Sequence, residues 1–208
     1  MAYRRTPAVQ ARLDAQAASI VRAAMTVLSR DGYAGLSVAA VAAEAGVATG
    51  TVYKSFSGKA ELVTAVFREV VTREVAAVAV AGGAEPAEPT AAGVFARDRV
   101  TAAVETFAGR ALKNPRLAYV LLAEPVDAAV DAERLRFRRA FAETFESAIA
   151  AGVATGQLPP QDARTSATAL VGAIGEVLVG PLAEELESES VVPELVAFAL
   201  RALGVPGR

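Results

Sequence analysis

Apolar residues recur every three or four positions along most of the chain, which is the spacing of amphipathic helices. No segment of useful length has the strict alternation of a β-strand. The pattern therefore predicts an all-α protein of about nine helices. The expected bounds are 14–31, 38–45, 49–56, 58–80, 92–112, 115–122, 128–151, 162–186 and a last helix that follows Pro193.

Glycine and proline mark the breaks between these helices. Gly32 follows the first apolar pattern and predicts its end. The run 82–90 is rich in both residues, and we interpret it as an exposed loop rather than a domain boundary. The helix over 58–80 is then expected to connect a small N-terminal unit, residues 1–62, to a larger helical unit, residues 63–208.

The 208 residues include neither cysteine nor histidine. This excludes disulfides and thiolate metal sites, and it removes the commonest metal ligands and the commonest general base. The composition argues against a metalloenzyme, a Ser-His-Asp hydrolase and a Cys-His protease, and we expect no metal, no cofactor and no enzymatic activity. The first alternative is an all-helical enzyme that uses Asp, Glu, Lys or Tyr alone, but no carboxylate pair at a meaningful spacing supports it.

The net charge of −2 is unevenly distributed. Residues 1–62 contain seven Lys or Arg and four acidic residues, a balance of +3, while the remainder contains 14 and 19, a balance of −5. A basic head on an acidic body suits a protein that meets phosphate with one end only. The chain opens without a signal peptide and lacks an apolar run of about 18 residues. We therefore expect a cytoplasmic protein without a membrane segment.

The strongest functional signal lies in residues 37–56. This segment predicts two short helices that cross closely, with the small Ala42 at the contact and Gly46 in the tight turn. Once its apolar positions are buried, the second helix presents a short polar face with one cation and one phenol. Such a face can enter the major groove of DNA, which is about 12 Å wide. It consists of Thr49, Gly50, Thr51, Tyr53 and Lys54.

This region resembles the signature of TetR-family regulators over about residues 14–65. The residues that carry the resemblance are the run from Gly46 to Leu62 and the upstream pairs Gly32-Tyr33 and Ser37-Val38. The resemblance implies an N-terminal three-helix helix-turn-helix domain that binds DNA, followed by a larger helical domain for dimerisation and ligand binding. Ala48 and Ser55 stand where the family often has Ser and His, so a base preference does not carry over.

The resemblance also implies roles for single residues. Base edges would be contacted by Thr49, Thr51 and Lys54. Phosphates would be held by Tyr53, Lys59 and Ser37. Gly50 lets the backbone come close to DNA without obstruction. These roles agree with the chemistry, because Thr can bond to any base edge and the amides at a helix N-terminus favour an anion near Lys59.

A pocket for a small apolar or amphipathic effector is implied among the middle helices. Candidate lining residues are Phe67, Phe95, Phe107, Tyr119, Phe137 and Phe141. An ordinary core position is the commoner fate of any single one of them. The last two long helices are rich in small and apolar residues, and by resemblance they would pair with their mates in a homodimer. A two-fold dimer also doubles the DNA site.

With these features, the resemblance to TetR-family regulators implies a homodimeric, ligand-responsive repressor that binds a palindromic operator in double-stranded DNA. The second alternative is a helical ligand-binding or scaffold protein without DNA activity.

Overall fold

The computed structural model describes residues 6–83, 96–184 and 190–205, and within these ranges it contains nine helices and no strand. The predicted all-α class is confirmed. The helices are α1 (Pro7–Gly35), α2 (Val38–Glu44), α3 (Thr49–Tyr53), α4 (Lys59–Ala81), α5 (Ala96–Lys113), α6 (Pro115–Leu122), α7 (Ala128–Ala154), α8 (Ala163–Glu184) and α9 (Val191–Ala202).

Helix α1 is longer than its apolar pattern predicted. It begins at Pro7, and the hydroxyl of the N-cap Thr6 accepts a bond from the Val9 amide at 3.4 Å. Gly32 interrupts it, as predicted, with φ 70° and ψ −174°, but one more helical turn follows before the chain leaves at Gly35. Most of the predicted loop 82–90 and the candidate Phe95 lie outside the described residues.

A first hydrophobic core joins α1, α2, α3 and the N-terminal half of α4 to one face of α6. Its fully buried side chains include Ile20, Leu28, Val52, Leu62 and Phe67, each 0% exposed. This core continues along α4 to Val70 and takes in three residues of α6: Leu117, Val120 and Leu121. The N-terminal unit therefore rests directly on α6.

A second core fills the space between α5, α7, α8 and α9. Its centre is aromatic, with the ring of Phe141 4.6 Å from the rings of both Phe107 and Phe137 in edge-to-face geometry. Such pairs contribute about 0.5–1.5 kcal/mol each beyond the area that they bury. Phe145 and Ile149 continue this buried stripe along α7.

Arg134 of α7 fixes the C-terminal end of α6. Its guanidinium donates to the carbonyls of Val120 and Leu121 at 3.0 Å and of Glu124 at 2.7 Å. The carbonyls of Val120 and Leu121 are among those that the end of a helix leaves without an internal partner, and Glu124 follows the helix. Burial lowers the pKa of Arg134, and the adjacent Asp131 carboxylate opposes that shift.

Helix α8 is long and apolar enough to cross a bilayer by length and composition alone, and 33% of the relevant window is buried within the chain. Its inward side carries Leu170, Ile174 and Leu178, which pack into the second core. Its outward side carries small and apolar residues, among which Val177 is 49% exposed.

Candidate DNA-binding face and ligand cavity

The turn between α2 and α3 is built by local hydrogen bonds. The hydroxyl of Ser37 caps α2 by accepting from the Ala40 amide at 3.1 Å. At the other end, Gly46 adopts φ 65°, and the amide of Val47 donates to the Ala42 carbonyl at 3.0 Å. This is the bond of a helix that ends in a left-handed residue, which glycine adopts without strain.

Helix α3 buries one side and exposes the other. Val52 is fully buried, and Phe56, just beyond the helix, is 8% exposed. The opposite side carries the predicted polar face: Thr49, Gly50, Tyr53 and Lys54 are exposed and Thr51 is partly exposed. Tyr53 is 56% exposed, which is unusual for an aromatic residue. A Cβ added to Gly50 would meet nothing within 4 Å, so the backbone is open to a close partner.

The N-cap of α3 is Ala48, which makes no side-chain hydrogen bond to the helix. Thr49 is the first helical residue rather than the cap, so its hydroxyl is not engaged in capping. The amides of the first turn are also without a side-chain acceptor from the cap, and this end of α3 faces solvent.

Lys59 opens α4 and is held by α1. Its ammonium donates to the Tyr33 carbonyl at 2.6 Å and lies 4.0 Å from the centre of the Tyr33 ring. Lys59, which was predicted to bind a phosphate of DNA, thus has a partner within the protein. Nearby, a carboxylate oxygen of Glu61 accepts from both the amide and the hydroxyl of Ser57 at 2.7 Å, and these bonds lower the pKa of Glu61.

Tyr33 also connects α1 to the segment between α6 and α7. Its amide donates to Glu124 at 3.0 Å, and its phenol donates to Asp127. Burial raises the pKa of Tyr33 to about 12, and the bond to Asp127 adds to the rise. Arg116 and Glu124 lie so close to Gly32 that an added Cβ would come within 2.8 Å of the Arg116 guanidinium. Close polar contacts at Gly32 and Tyr33 therefore lie beside the apolar contacts between the N-terminal unit and α6.

A cavity of about 220 Å³ lies between α4, α5, α6 and α7. Most of its wall is apolar, and a polar group of side chains lies along one side. The apolar lining comprises Val70, Val78, Phe107, Ala111, Leu117, Ala118, Leu121, Leu122, Phe137 and Phe141. The polar lining comprises Arg73, Glu74, Arg110, Lys113 and Asn114.

The polar rim of this cavity carries three cations and one acid. Glu74 accepts from Arg110 at 3.0 Å and from Arg73 at 3.0 Å. Burial opposes ionisation of Glu74, but the bonds from the two arginines prevail, and the pKa of the carboxyl is lowered. The rim therefore has two positive charges more than negative ones, with Lys113 unbonded among the described side chains.

A second cavity of about 490 Å³ lies on the other side of the aromatic cluster, towards α8. Four residues line both cavities and so form the wall between them: Phe107, Leu122, Phe137 and Phe141. The far side of the second cavity includes Gly172, Gly175 and Glu176 of α8.

The structure brings together some of the predicted pocket residues. Phe107, Phe137 and Phe141 meet at the wall of the first cavity. Phe67 instead belongs to the first core, and Tyr119 packs partly buried against the second core, lining neither cavity described above. The rim residues were not predicted, because nothing in the sequence indicates that α4 and α5 place Arg73 beside Arg110.

Two family models match the sequence. The model for bacterial regulatory proteins of the tetR family matches residues 20–66, and the model for the tetracyclin repressor-like C-terminal domain matches residues 93–178. Together they span more than half of the chain. No curated protein matches the sequence.

Solved structures agree in fold. The fatty acid degradation regulator FadR from Bacillus halodurans has a TM-score of 0.76 at 18% identity, covering 99% of this chain and 100% of its own. FadR from Bacillus subtilis, in complex with stearoyl-CoA, has a TM-score of 0.75 at 16% identity over 91% of this chain and 99% of its own. A putative TetR-family transcriptional regulator from Rhodococcus sp. has a TM-score of 0.72 at 22% identity, covering 90% of this chain and 98% of its own. The chain belongs to the TetR family of bacterial regulatory proteins.

Proposed function

We propose that this DNA-binding regulator is a cytoplasmic repressor that binds a palindromic operator as a homodimer and releases it when a ligand enters the cavity between α4 and α7. The observation that carries the proposal is the exposed polar face of α3 in a chain of this family. Residues 1–62 would form the DNA-binding unit and residues 63–208 the unit that dimerises and binds ligand.

The contacts with DNA are proposed from exposure and chemistry. Thr49, Thr51 and Lys54 would meet base edges, while Tyr53 and Ser37 would meet phosphates. Lys59 would have to share its ammonium between the Tyr33 carbonyl and a phosphate. An ammonium has three donors, so both bonds are possible at once.

The homodimer is proposed from the outward surfaces of α8 and α9. Val177 is 49% exposed and Phe198 is 41% exposed, and a partner packed against these helices would remove both apolar side chains from water. A Cβ added to Gly180 would meet nothing within 4 Å, so the backbone of α8 is open to a closely packed partner at this position. Pairing with a second copy would cover this apolar surface.

The ligand is proposed to be an amphipathic anion with an apolar chain. The cavity is apolar inside and positively charged at its rim, which suits a chain inside and a negative group at the mouth. The Bacillus subtilis neighbour was solved with stearoyl-CoA, a ligand of this kind. An acyl chain that stops at Phe137 and Phe141, in the wall between the two cavities, would be short to medium in length.

Ligand and DNA would be coupled through shared side chains. Val70, Leu117 and Leu121 line the cavity and also belong to the core beneath the DNA-binding unit. A ligand that displaces them changes the packing under α1. It can shift the protein to a released state only by binding that state more tightly than the DNA-bound one.

Selection of bound fragments from genomic DNA tests the proposal. We expect the full-length protein to enrich a palindrome, whose half-site spacing would be about 34–36 Å or a multiple. Lys54→Ala should change the enriched sequence, while Lys113→Ala, the matched control on α5, should leave it unchanged. Failure to enrich any fragment at low salt would favour the alternative of a helical ligand-binding or scaffold protein without DNA activity.

A further inference from the structure

A groove of about 620 Å³ runs between α1 and α4, beside the rim of the ligand cavity. One face of α1 and two residues of α4 line it. The lining comprises Arg22, Met25, Thr26, Ser29, Arg30, Glu69 and Arg73. Nothing in the proposed contacts with DNA uses this groove.

The groove and the cavity adjoin each other at Arg73. Arg73 lines both of them. A second connection is the hydrogen bond that the side-chain amide of Asn114, on the cavity rim, donates to the hydroxyl of Ser29, in the groove, at 3.2 Å. A ligand whose apolar chain lies in the cavity and whose head group leaves it beside Arg73 would therefore reach the groove.

The combined lining has an excess of positive charge, part of which is paired with acids that lie outside the lining. It contains five cations, Arg22, Arg30, Arg73, Arg110 and Lys113, and two acids, Glu69 and Glu74, a balance of +3 in a chain whose net charge is −2. Glu74 pairs with Arg73 and Arg110, and Arg30 pairs with Asp31 and Glu44. Within the described part of the chain, Arg22 and Lys113 have no acidic partner within 4 Å. One cation of the groove and one cation of the cavity rim are thus left for a ligand.

We propose that the groove binds the phosphate-bearing head group of the effector, and that the effector is an apolar chain joined to a head with several phosphate charges. This inference rests on the proposed function of the cavity. The single charge of a carboxylate would be paired by the cations of the cavity rim, and a ligand with that head group would not extend into the groove. Phosphates match the fork of an arginine guanidinium and can engage several arginines at once.

Such a head group would contact the DNA-binding unit directly. Arg22 and Ser29 belong to α1, whereas Arg73 belongs to α4, so the head would lie between the two helices. Its charges would hold these helices at a separation set by the ligand. The head group would then contribute to release of DNA as well as to affinity.

Calorimetric titration of the full-length protein with octanoyl-CoA, octanoate and CoA tests the proposal. We expect octanoyl-CoA to bind at least tenfold more tightly than octanoate, with a steeper loss of affinity as salt is added. Arg22→Gln should weaken binding of octanoyl-CoA by at least about tenfold, as expected for loss of a charged hydrogen bond, and leave binding of octanoate unchanged. Arg12→Gln, an exposed arginine on the same helix that lines neither space, is the matched control.

The outcomes separate the two proposals. If octanoate binds and octanoyl-CoA binds no more tightly, or if Arg22→Gln behaves as Arg12→Gln does, the groove is not the head-group site while the cavity retains its role. If neither amphiphile binds, the cavity does not take an amphipathic anion, and both proposals fail. CoA alone has no acyl chain. If it binds weakly and Arg22→Gln abolishes that binding, the groove is supported as the head-group site whether or not an acyl chain enters the cavity.

Discussion

The ammonium of Lys59 is bonded to the carbonyl of Tyr33 and lies 4.0 Å from the centre of its ring. This pair links the start of the helix that follows the helix-turn-helix to the last turn of α1. Tyr33 in turn bonds to Glu124 and Asp127, which lie in the segment just before α7. The position of α4 relative to the body of the protein therefore depends on Tyr33.

Lys59→Ala should affect both stability and DNA affinity. Loss of the bond to Tyr33 and of the cation–π contact should lower the free energy of unfolding by about 1 kcal/mol at this partly exposed site. If Lys59 also holds a phosphate, the salt dependence of DNA binding should fall by about 0.9 in slope. Urea titration and DNA binding at several salt concentrations measure the two effects. A variant with unchanged salt dependence would leave Lys59 with its structural role alone.

Tyr33→Phe should change the alkaline stability of the protein. The phenol of the unfolded chain releases its proton near pH 10.0, while burial and Asp127 hold the pKa of folded Tyr33 at about 12. The stability that this phenol contributes is present below pH 10 and is lost as pH rises through 12. Urea titrations between about pH 9 and pH 12, the range in which tyrosine titrates, should therefore show a smaller loss of unfolding free energy in the variant. Tyr53→Phe, which removes an exposed phenol, should behave as the unaltered protein does.

Phe141→Leu should open the wall between the two cavities and lengthen the preferred chain. Two additional buried methylenes contribute about 1.6 kcal/mol, which corresponds to more than a tenfold gain for palmitoyl-CoA relative to octanoyl-CoA. Phe145→Leu is the control, because Phe145 is equally buried on the same helix but lines neither cavity. Both variants should lose about 1–2 kcal/mol of stability. Equal chain preferences in the two variants would contradict the role of the wall.

Val177→Glu should convert the proposed dimer to a monomer. A carboxylate at this position on α8 would be buried without a partner if α8 packs against its mate. Leu135→Glu is the control, because Leu135 is similarly exposed, at 51%, but lies on α7. Sedimentation equilibrium gives the mass of each variant. Dimers that survive Val177→Glu at micromolar concentration would place the interface elsewhere.

The short-range features of the fold were predictable from the sequence. The apolar spacing and the cap at Ser37 predicted the helices of the N-terminal unit, and Gly46 predicted the turn. These signals act within a few residues of the chain. The exposure of the α3 face followed from the burial of Val52 and Phe56. Its contacts with DNA remain predictions.

The long-range features were not predictable in the same way. Phe67 and Phe141 both have apolar residues four positions before and four positions after them, yet one is in the first core and the other lines both cavities. Lys59 is paired with a residue 26 positions away, and Arg73 lies near Arg110 only because α4 packs on α5. Spacing identifies which side of a helix is buried but not which element covers it.

Val70, Leu117 and Leu121 serve two structures at once, the wall of the cavity and the floor beneath α1. A substitution that enlarges the cavity at one of them also loosens the support of the DNA-binding unit, at a cost of about 2–5 kcal/mol for Leu→Ala. Changes in ligand preference that arise at these positions therefore alter operator affinity in the same step. Evolution of a new specificity would proceed more easily at Phe137 or Phe141, which line the cavity without forming part of that floor.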